Sequence, residues 1–248
     1  MLEIARTAIQ AHSFEEAADY LFEKLHYQFS QSFVWKITNF VGFVILDERN
    51  RRINRLVEAI MSGDLNDIIP ALYPNCKKVD ILYSLIDGSF VNTRSTTASK
   101  NFENTSNWRE CKMCMTFRPE DLIKRHTKKS TEERYTIGKS DYAAYIGRKD
   151  DFKYVFLDLM LQNGTRKGST VVLISDGADW IYNMVLDMLK PIGVTIVAIN
   201  DLFHTKQNIG KFCQSVNDVA KARGEEPLLS ADNLIAQTPG NMGTRVPD

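Results

Sequence analysis

The sequence predicts an α/β fold, a mixed sheet with flanking helices preceded by a helical segment, and three observations carry that expectation. Two apolar runs rich in β-branched residues, Val79-Asp80-Ile81-Leu82-Tyr83-Ser84-Leu85-Ile86-Asp87-Gly88 and Val171-Val172-Leu173-Ile174-Ser175-Asp176-Gly177, read as buried strands, each ending on an aspartate followed by glycine. Beyond residue 140, helical and strand patterns alternate, as they do around parallel strands. Before residue 75 the apolar spacing is helical. With 248 residues, 44% of them hydrophobic, the chain can fill a sizeable core.

Charge and hydropathy exclude several classes. No stretch approaches the roughly 20 apolar residues of a membrane span. Met1-Leu2-Glu3-Ile4-Ala5-Arg6 lacks the charged start and long apolar centre of a signal peptide, so a cytoplasmic location and no membrane partner are expected. Lys+Arg and Asp+Glu balance at 31 each, and any binding of a polyanion must therefore come from local patches.

Residues 1–75 read as a helical, helix-turn-helix-like DNA-binding segment. Ser13 is an N-cap with Glu16 three residues on, and Phe14, Ala17, Ala18, Leu21, Phe22 and Leu25 follow at helical spacing. His26-Tyr27-Gln28-Phe29 breaks the pattern, Ser30 offers a second N-cap, and Phe33, Val34, Ile37, Phe40 and Val41 form a second stripe. In helix-turn-helix geometry the start of the second helix enters the major groove, which turns Gln31, Ser32, Trp35, Lys36 and Asn39 toward DNA. The arginines of Arg49-Asn50-Arg51-Arg52-Ile53-Asn54-Arg55, Arg51 and Arg52 among them, would meet phosphates. An αα-hairpin packing on the main domain is the plainer alternative, and seven Lys/Arg against ten Asp/Glu through Asn75 favour it.

Pro70 and Pro74 mark a boundary, and residues 76–224 read as one core. Expected there are a strand to Asp87, a short strand at Phe90-Val91, a long polar connection over 93–107, and a strand over 108–117. These make three consecutive antiparallel strands. A basic loop, Lys124-Arg125-His126-Thr127-Lys128-Lys129, is followed by a helix over 142–163 ended by Gly164. The strand to Asp176, a helix over 179–190, the strand over 194–199 and a helix from 203 complete the core. Three antiparallel strands followed by two parallel ones is the ribonuclease H-like arrangement. Residues 225–248 are turn-rich and read as an irregular tail. Of the cysteines, Cys76, Cys111, Cys114 and Cys213, the CxxC pair Cys111 and Cys114 lies on an expected strand, where residues three apart point to opposite faces and cannot chelate one ion. Reduced structural thiols are expected.

Carboxylates delivered to strand ends can converge on a divalent cation, and magnesium suits one or two of them completed by water and phosphate oxygens. Asp87 and Asp176 are therefore candidate metal ligands. Ordinary Asp-Gly turns would give the same dipeptides.

The words around these strands resemble the catalytic domain of DDE-type transposases from bacterial insertion sequences. Asp87-Gly88-Ser89 with Trp108-Arg109-Glu110-Cys111-Lys112 is similar to that family's first-aspartate strand and its "W-R-E-x-K" strand. Asp176-Gly177-Ala178-Asp179-Trp180-Ile181 resembles the second-aspartate motif "D-G-A-x-W-I", and Asn200-Asp201-Leu202-Phe203-His204 the "D-x-x-H" segment. The four motifs occur in the family's order, and the likeness spans roughly residues 10 to 220.

The resemblance implies a two-metal DNA strand transferase. Asp87 and Asp176 would be its catalytic, metal-holding aspartates, with Mg²⁺ or Mn²⁺ as cofactor. Asp201, His204, Glu110 and Asp179 would stand near the site, and the partners would be the double-stranded ends of a mobile element and, in a homodimer, a second copy. Trp180 reads as a core anchor one turn into its helix. The family's third carboxylate, a glutamate on a later helix, has no counterpart here, because Glu225 and Glu226 follow His204 too soon. The chain thus reads as a truncated transposase, inactive alone. Two alternatives stand beside it. One is a working metal-dependent nuclease in which Glu110 or Asp179 substitutes for the missing ligand. The other is a von Willebrand A-like metal-binding module, for which Asp87-Gly88-Ser89-Phe90-Val91 offers an imperfect D-x-S-x-S loop.

Overall fold

A computed structural model describes residues 1–93, 108–125, 134–227 and 229–237. The expected connection over 93–107 beyond its first residue, the basic stretch from His126 onward and the end of the tail lie outside the described residues. The chain divides into two compact units, Met1–Ser62 and Gly63–Asp248.

The first unit holds three helices, α1 (Leu2–Gln10), α2 (Phe14–Leu25) and α3 (Gln31–Ser62). Its core is Ile4, Ala17, Leu21 and Val34, with Phe14, Phe29 and Ile37 packed against it. The Ser13 hydroxyl accepts from the Glu16 N–H at 3.1 Å, and the Glu16 carboxylate reaches back one residue further than a capping box does, to the His12 N–H at 2.6 Å. The chain leaves α2 through His26, which takes the left-handed conformation with φ 55°. Ser30 then caps α3 by accepting from the Phe33 N–H at 3.2 Å. Two features escape the sequence reading. α1 precedes the expected pair, and α3 runs on for 32 residues, carrying Arg49, Arg51, Arg52 and Arg55 within a helix instead of after one.

The second unit opens with α4 (Leu65–Leu72). Its sheet contains β1 (Ile81–Asn92), β2 (Trp108–Phe117), β5 (Asp141–Ile146), β6 (Thr170–Ser175) and β7 (Thr195–Asn200), in the order β5-β2-β1-β6-β7. The β5–β2 and β2–β1 pairs are antiparallel, and β1–β6 and β6–β7 are parallel. A separate hairpin pairs β3 (Leu122–Arg125) with β4 (Arg134–Ile137). Helices α5 (Lys149–Gln162) and α6 (Asp179–Leu189) flank the sheet, α5 touching β2 and β5 and α6 touching β7. α7 (Leu202–Ala222) and the short α8 (Ala231–Gln237) pack on each other. α8 occupies part of the stretch expected to be irregular. Among the described residues no helix is long and apolar enough to cross a membrane.

The sheet is mixed as expected, but one of its strands, and the extent of another, differ from those anticipated. β1 does not stop at Asp87: the ladder with β2 continues through Gly88↔Lys112 to Asn92↔Trp108, so Asp87-Gly88 is a step within a strand and not a turn. The predicted Phe90-Val91 strand is the end of β1. The third antiparallel strand is β5, which the sequence reading assigned to the start of a helix. The run Tyr142-Ala143-Ala144-Tyr145-Ile146 is short and aromatic, and Gly147 separates it from α5. Ser89 lies within β1, paired with Cys111, so the D-x-S-x-S reading has no loop to occupy and the von Willebrand A-like alternative fails.

The core lies on one face of the sheet. Leu82, Ser84 and Ile86 of β1 share that face with Cys114 and Thr116 of β2, Val171, Leu173 and Ser175 of β6 and Ile196 of β7, all buried. Phe152, Phe156, Leu157, Met160 and Leu161 of α5 are wholly buried, as are Ile181 and Leu189 of α6 within 2%. Cys111 and Cys114 are on β2 and are free thiols. Two backbone hydrogen bonds join the start of β1 to the segment before β6: the Val79 N–H donates to Gly164 O at 3.0 Å and the Thr170 N–H to Asp80 O at 2.7 Å.

Candidate functional site

Strand register positions the candidate carboxylates. β1 and β6 pair through Leu85↔Ile174, and β6 and β7 through Ser175↔Asn200. Continuing both ladders in step brings Asp87, Asp176 and Asp201 to one level on three adjacent parallel strands, which stand about 4.8 Å apart. The backbone supports this at β7, where the Asp201 N–H still donates to Ser175 O at 2.7 Å. Side chains alternate along strands. Asp87, within β1, therefore belongs to the face opposite the buried one, alongside the half-buried Tyr83 and Leu85, and Asp176 and Asp201 lie just past the ends of β6 and β7.

Local hydrogen bonds orient each carboxylate. Asp87 is exposed and its Oδ1 accepts from the Gly88 N–H at 2.7 Å. Asp176 is exposed just past β6, and its Oδ1 accepts from the Ala178 N–H at 3.0 Å, an Asx turn that leads into α6. Gly177 makes that turn at φ 87°, and a Cβ there would come within 3.1 Å of the Asn200 side chain. Asp201 and His204 sit one turn apart at the start of α7, with Asp201 Oδ2 2.9 Å from His204 Nδ1. The i,i+3 spacing of "D-x-x-H" is what makes this bond possible on a helix. Asp179 is exposed in the first turn of α6.

Glu110 stands apart from the aspartates. It is level with Phe90, three residues from Asp87, and so belongs to the other face of the β1–β2 ladder. There its Oε2 accepts from Lys112 Nζ at 2.6 Å, while the same buried ammonium donates to Gly147 O at 3.0 Å. Its Oε1 lies over Gly88, 3.0 Å from where a Cβ would be. The structure thus does not bring Glu110 to Asp87 and Asp176 as a substitute ligand. Among the described residues no group of three or more His, Cys, Asp or Glu is placed to hold a metal ion.

A groove that the sequence reading missed runs along the face carrying Glu110. It has a volume of about 480 Å³ and is lined by Glu110, Lys112, Gly147, Arg148, Lys149, Asp150 and Trp180. Trp180 also borders a second recess of about 320 Å³ with Lys149, Lys153 and Asn183. Trp180 is half-buried and lines both, which replaces the expectation of a core anchor. The signal available in the sequence was the basic pair Arg148-Lys149 at the start of a helix, visible only once β5 is recognised.

In the first unit, Gln31, Ser32, Trp35, Lys36 and Asn39 are all exposed on the first turns of α3. Arg51 pairs with Asp47 and the half-buried Arg52 with Glu48, both at i,i+4.

No protein-family model matches the chain, and no curated protein matches it at a significant level. Among solved structures it is similar to a chain of the crystal structure of the Mos1 strand transfer complex, with 11% sequence identity, 96% of this chain and 70% of that chain covered, and a TM-score of 0.26. A likeness that loose carries no weight for fold or function.

Proposed function

We propose that the chain is a transposase-derived DNA-binding protein with a ribonuclease H-like core, in which Asp87 and Asp176 are the retained half of a two-metal strand-transfer site. The observation that supports this best is their common level on adjacent parallel strands, at the edge where β6 ends. The order β5-β2-β1-β6-β7, three antiparallel strands followed by two parallel, supports the ribonuclease H-like reading. The four motifs of the DDE resemblance fall at this edge or on the strand beside it.

The donor set suits Mg²⁺ or Mn²⁺. Two hard, exposed carboxylates on neighbouring strands are what magnesium takes from a protein when water and phosphate oxygens complete its shell. Asp87 and Asp176 would hold the cation, which when bound polarises a phosphate and favours the attacking and leaving oxygens. The protein's own residues do the rest. The Gly88 and Ala178 N–H groups aim the two carboxylates. Asp201 holds His204 by its Nδ1, keeping Nε2 turned away from that bond. Exposed Gln31, Ser32, Trp35 and Lys36 on a capped helix start support a groove-reading role for the first unit.

Two aspartates without a grouped third donor under-hold a metal pair, so the chain should bind duplex DNA but not cut or join it. Incubation of supercoiled plasmid with Mn²⁺ tests this, comparing the chain with Asp176→Ala. Equal, background-level nicking by both is expected. Robust nicking that disappears in Asp176→Ala would instead establish a working nuclease. In a duplex-binding titration, Lys36→Ala should weaken affinity and reduce the salt slope by about one, as loss of one phosphate contact does.

A further inference from the structure

Glu110 and Lys112 are two residues apart on β2 and share the sheet face opposite Asp87, out of reach of a cation held by the aspartates. Lys112 is directly across the ladder from Gly88, and Glu110 is the diagonal neighbour of that glycine, so their ion pair spans the space over it. The Lys112 side chain is only 6% exposed, and its ammonium is held by Glu110 Oε2 at 2.6 Å and Gly147 O at 3.0 Å. A glycine inside a strand weakens the strand and marks a close approach. Backbone freedom does not call for Gly88, which is not among the glycines with positive φ. Space does. A Cβ at residue 88 would stand 3.0 Å from Glu110 Oε1, and that oxygen cannot give way without drawing its carboxylate off a buried ammonium.

We propose that the Glu110–Lys112 ion pair is a positioning device for Asp87, acting through Gly88, an inference that rests on the reading of Asp87 as a cation ligand. The β1–β6 ladder ends at Leu85 while the β1–β2 ladder runs on to Asn92. At residues 87 and 88 β1 is therefore held, among the described residues, from the β2 side. The ion pair lies against this stretch and, through Gly147 O, ties it to the junction of β5 and α5. Seated over Gly88, it fixes the peptide whose N–H donates to Asp87 Oδ1 at 2.7 Å. An exposed carboxylate is otherwise free to change rotamer, and a ligand already held in one orientation binds a cation more tightly than one that must first be ordered. Acid and base two residues apart on a strand, facing a glycine on the next, are what such a brace requires. Glu110 and Lys112 thus serve the aspartate edge from the far side of the sheet without supplying a ligand to it.

Mn²⁺ titration and amide hydrogen exchange of the full chain test it. Gly88→Ala is expected to weaken Mn²⁺ binding about tenfold, the usual cost of disturbing a group that orients a metal ligand, and to speed exchange at residue 88. In a Glu110→Ala/Lys112→Met background, where the space over residue 88 is vacant, adding Gly88→Ala should change the affinity less than about twofold. That background alone should bind Mn²⁺ more weakly than wild type although neither residue touches the cation, and the conservative Glu110→Gln, which keeps the bulk and an acceptor for Lys112, should match wild type. Should the background fail to fold by far-UV circular dichroism, Glu110→Asp, one methylene shorter, takes its place and should recover most of the Gly88→Ala loss. An equal Gly88→Ala loss with and without the ion pair, or a background as tight as wild type, would overturn the proposal and leave the metal reading standing. A wild type that binds no Mn²⁺ would overturn both.

Discussion

Gly164→Ala is expected to destabilise the second unit by more than about 4 kcal/mol, beyond the range of ordinary surface changes and large against a typical domain stability of 5–15 kcal/mol. Gly164 ends α5 at φ +90°, where a side chain is strained, and a Cβ there would stand 2.1 Å from the Lys77 carbonyl oxygen. That carbonyl cannot simply retreat. The next strand is tied to the same glycine, whose carbonyl accepts from the Val79 N–H at 3.0 Å, and the Ser169 hydroxyl donates to Val79 O at 2.5 Å. Two other glycines separate the causes. Gly224→Ala meets open space but φ +76°, and should cost about 1 kcal/mol from backbone conformation alone. Gly210→Ala, inside α7 with nothing within 4 Å, should stabilise by about 0.5–1 kcal/mol. Urea titrations of the three variants give the series, and a Gly164→Ala cost near that of Gly224→Ala would contradict the steric argument.

Arg166→Met should cost about 2–4 kcal/mol, since charged hydrogen bonds contribute about 1.5–3 kcal/mol and their loss leaves half-buried carbonyls short of a donor. The guanidinium donates to Leu161 O and Thr165 O at 2.8 Å, and to Cys76 O and Tyr73 O at 3.3 and 3.4 Å, while lying over the Tyr73 ring. It therefore joins the end of α5 to the chain segment entering β1. Burial pulls its pKa below the ordinary arginine value, and the Cys76 and Tyr73 groups oppose that shift. Where a cation's folded pKa is lowered, the penalty on the folded state is relieved only as pH rises through that lowered value, which for arginine lies in the alkaline range. The cost should accordingly be flat across neutral pH. Arg166→Lys should recover less than half of it, because a single ammonium cannot reach carbonyls on both segments in the manner of the fork. Full recovery by lysine would show that charge, not geometry, matters there.

Much of the architecture was legible in the sequence for a plain reason: buried parallel strands are continuous apolar runs, and Val171-Val172-Leu173-Ile174-Ser175 can be little else. The Ser13 and Ser30 caps were equally readable, since each places a hydroxyl ahead of an amphipathic stripe. Edge features were not. β5 has one neighbour and half-exposed residues, so Tyr145 and Ile146 fitted a helical stripe as well as a strand, and tertiary pairing with Lys112 and Cys111 decided between them. Asp87-Gly88 looked like a turn because its departure from turn geometry depends on β2, a segment twenty residues away. For the site, the ends of the apolar runs pointed to Asp87 and Asp176 and the family resemblance to Asp201 and His204, but the face occupied by Glu110 depends on register, which motif order does not contain.

The central claim, that Asp87 and Asp176 act together on one divalent cation, is tested most directly by a Mn²⁺ titration of the full chain followed by calorimetry or by the loss of free-ion electron paramagnetic resonance signal. The account predicts weak binding that falls tenfold or more in Asp87→Asn and again in Asp176→Asn, with the double variant little worse than either and with Glu110→Gln unchanged. Binding that survives both aspartate substitutions, or that depends on Glu110 instead, would contradict it.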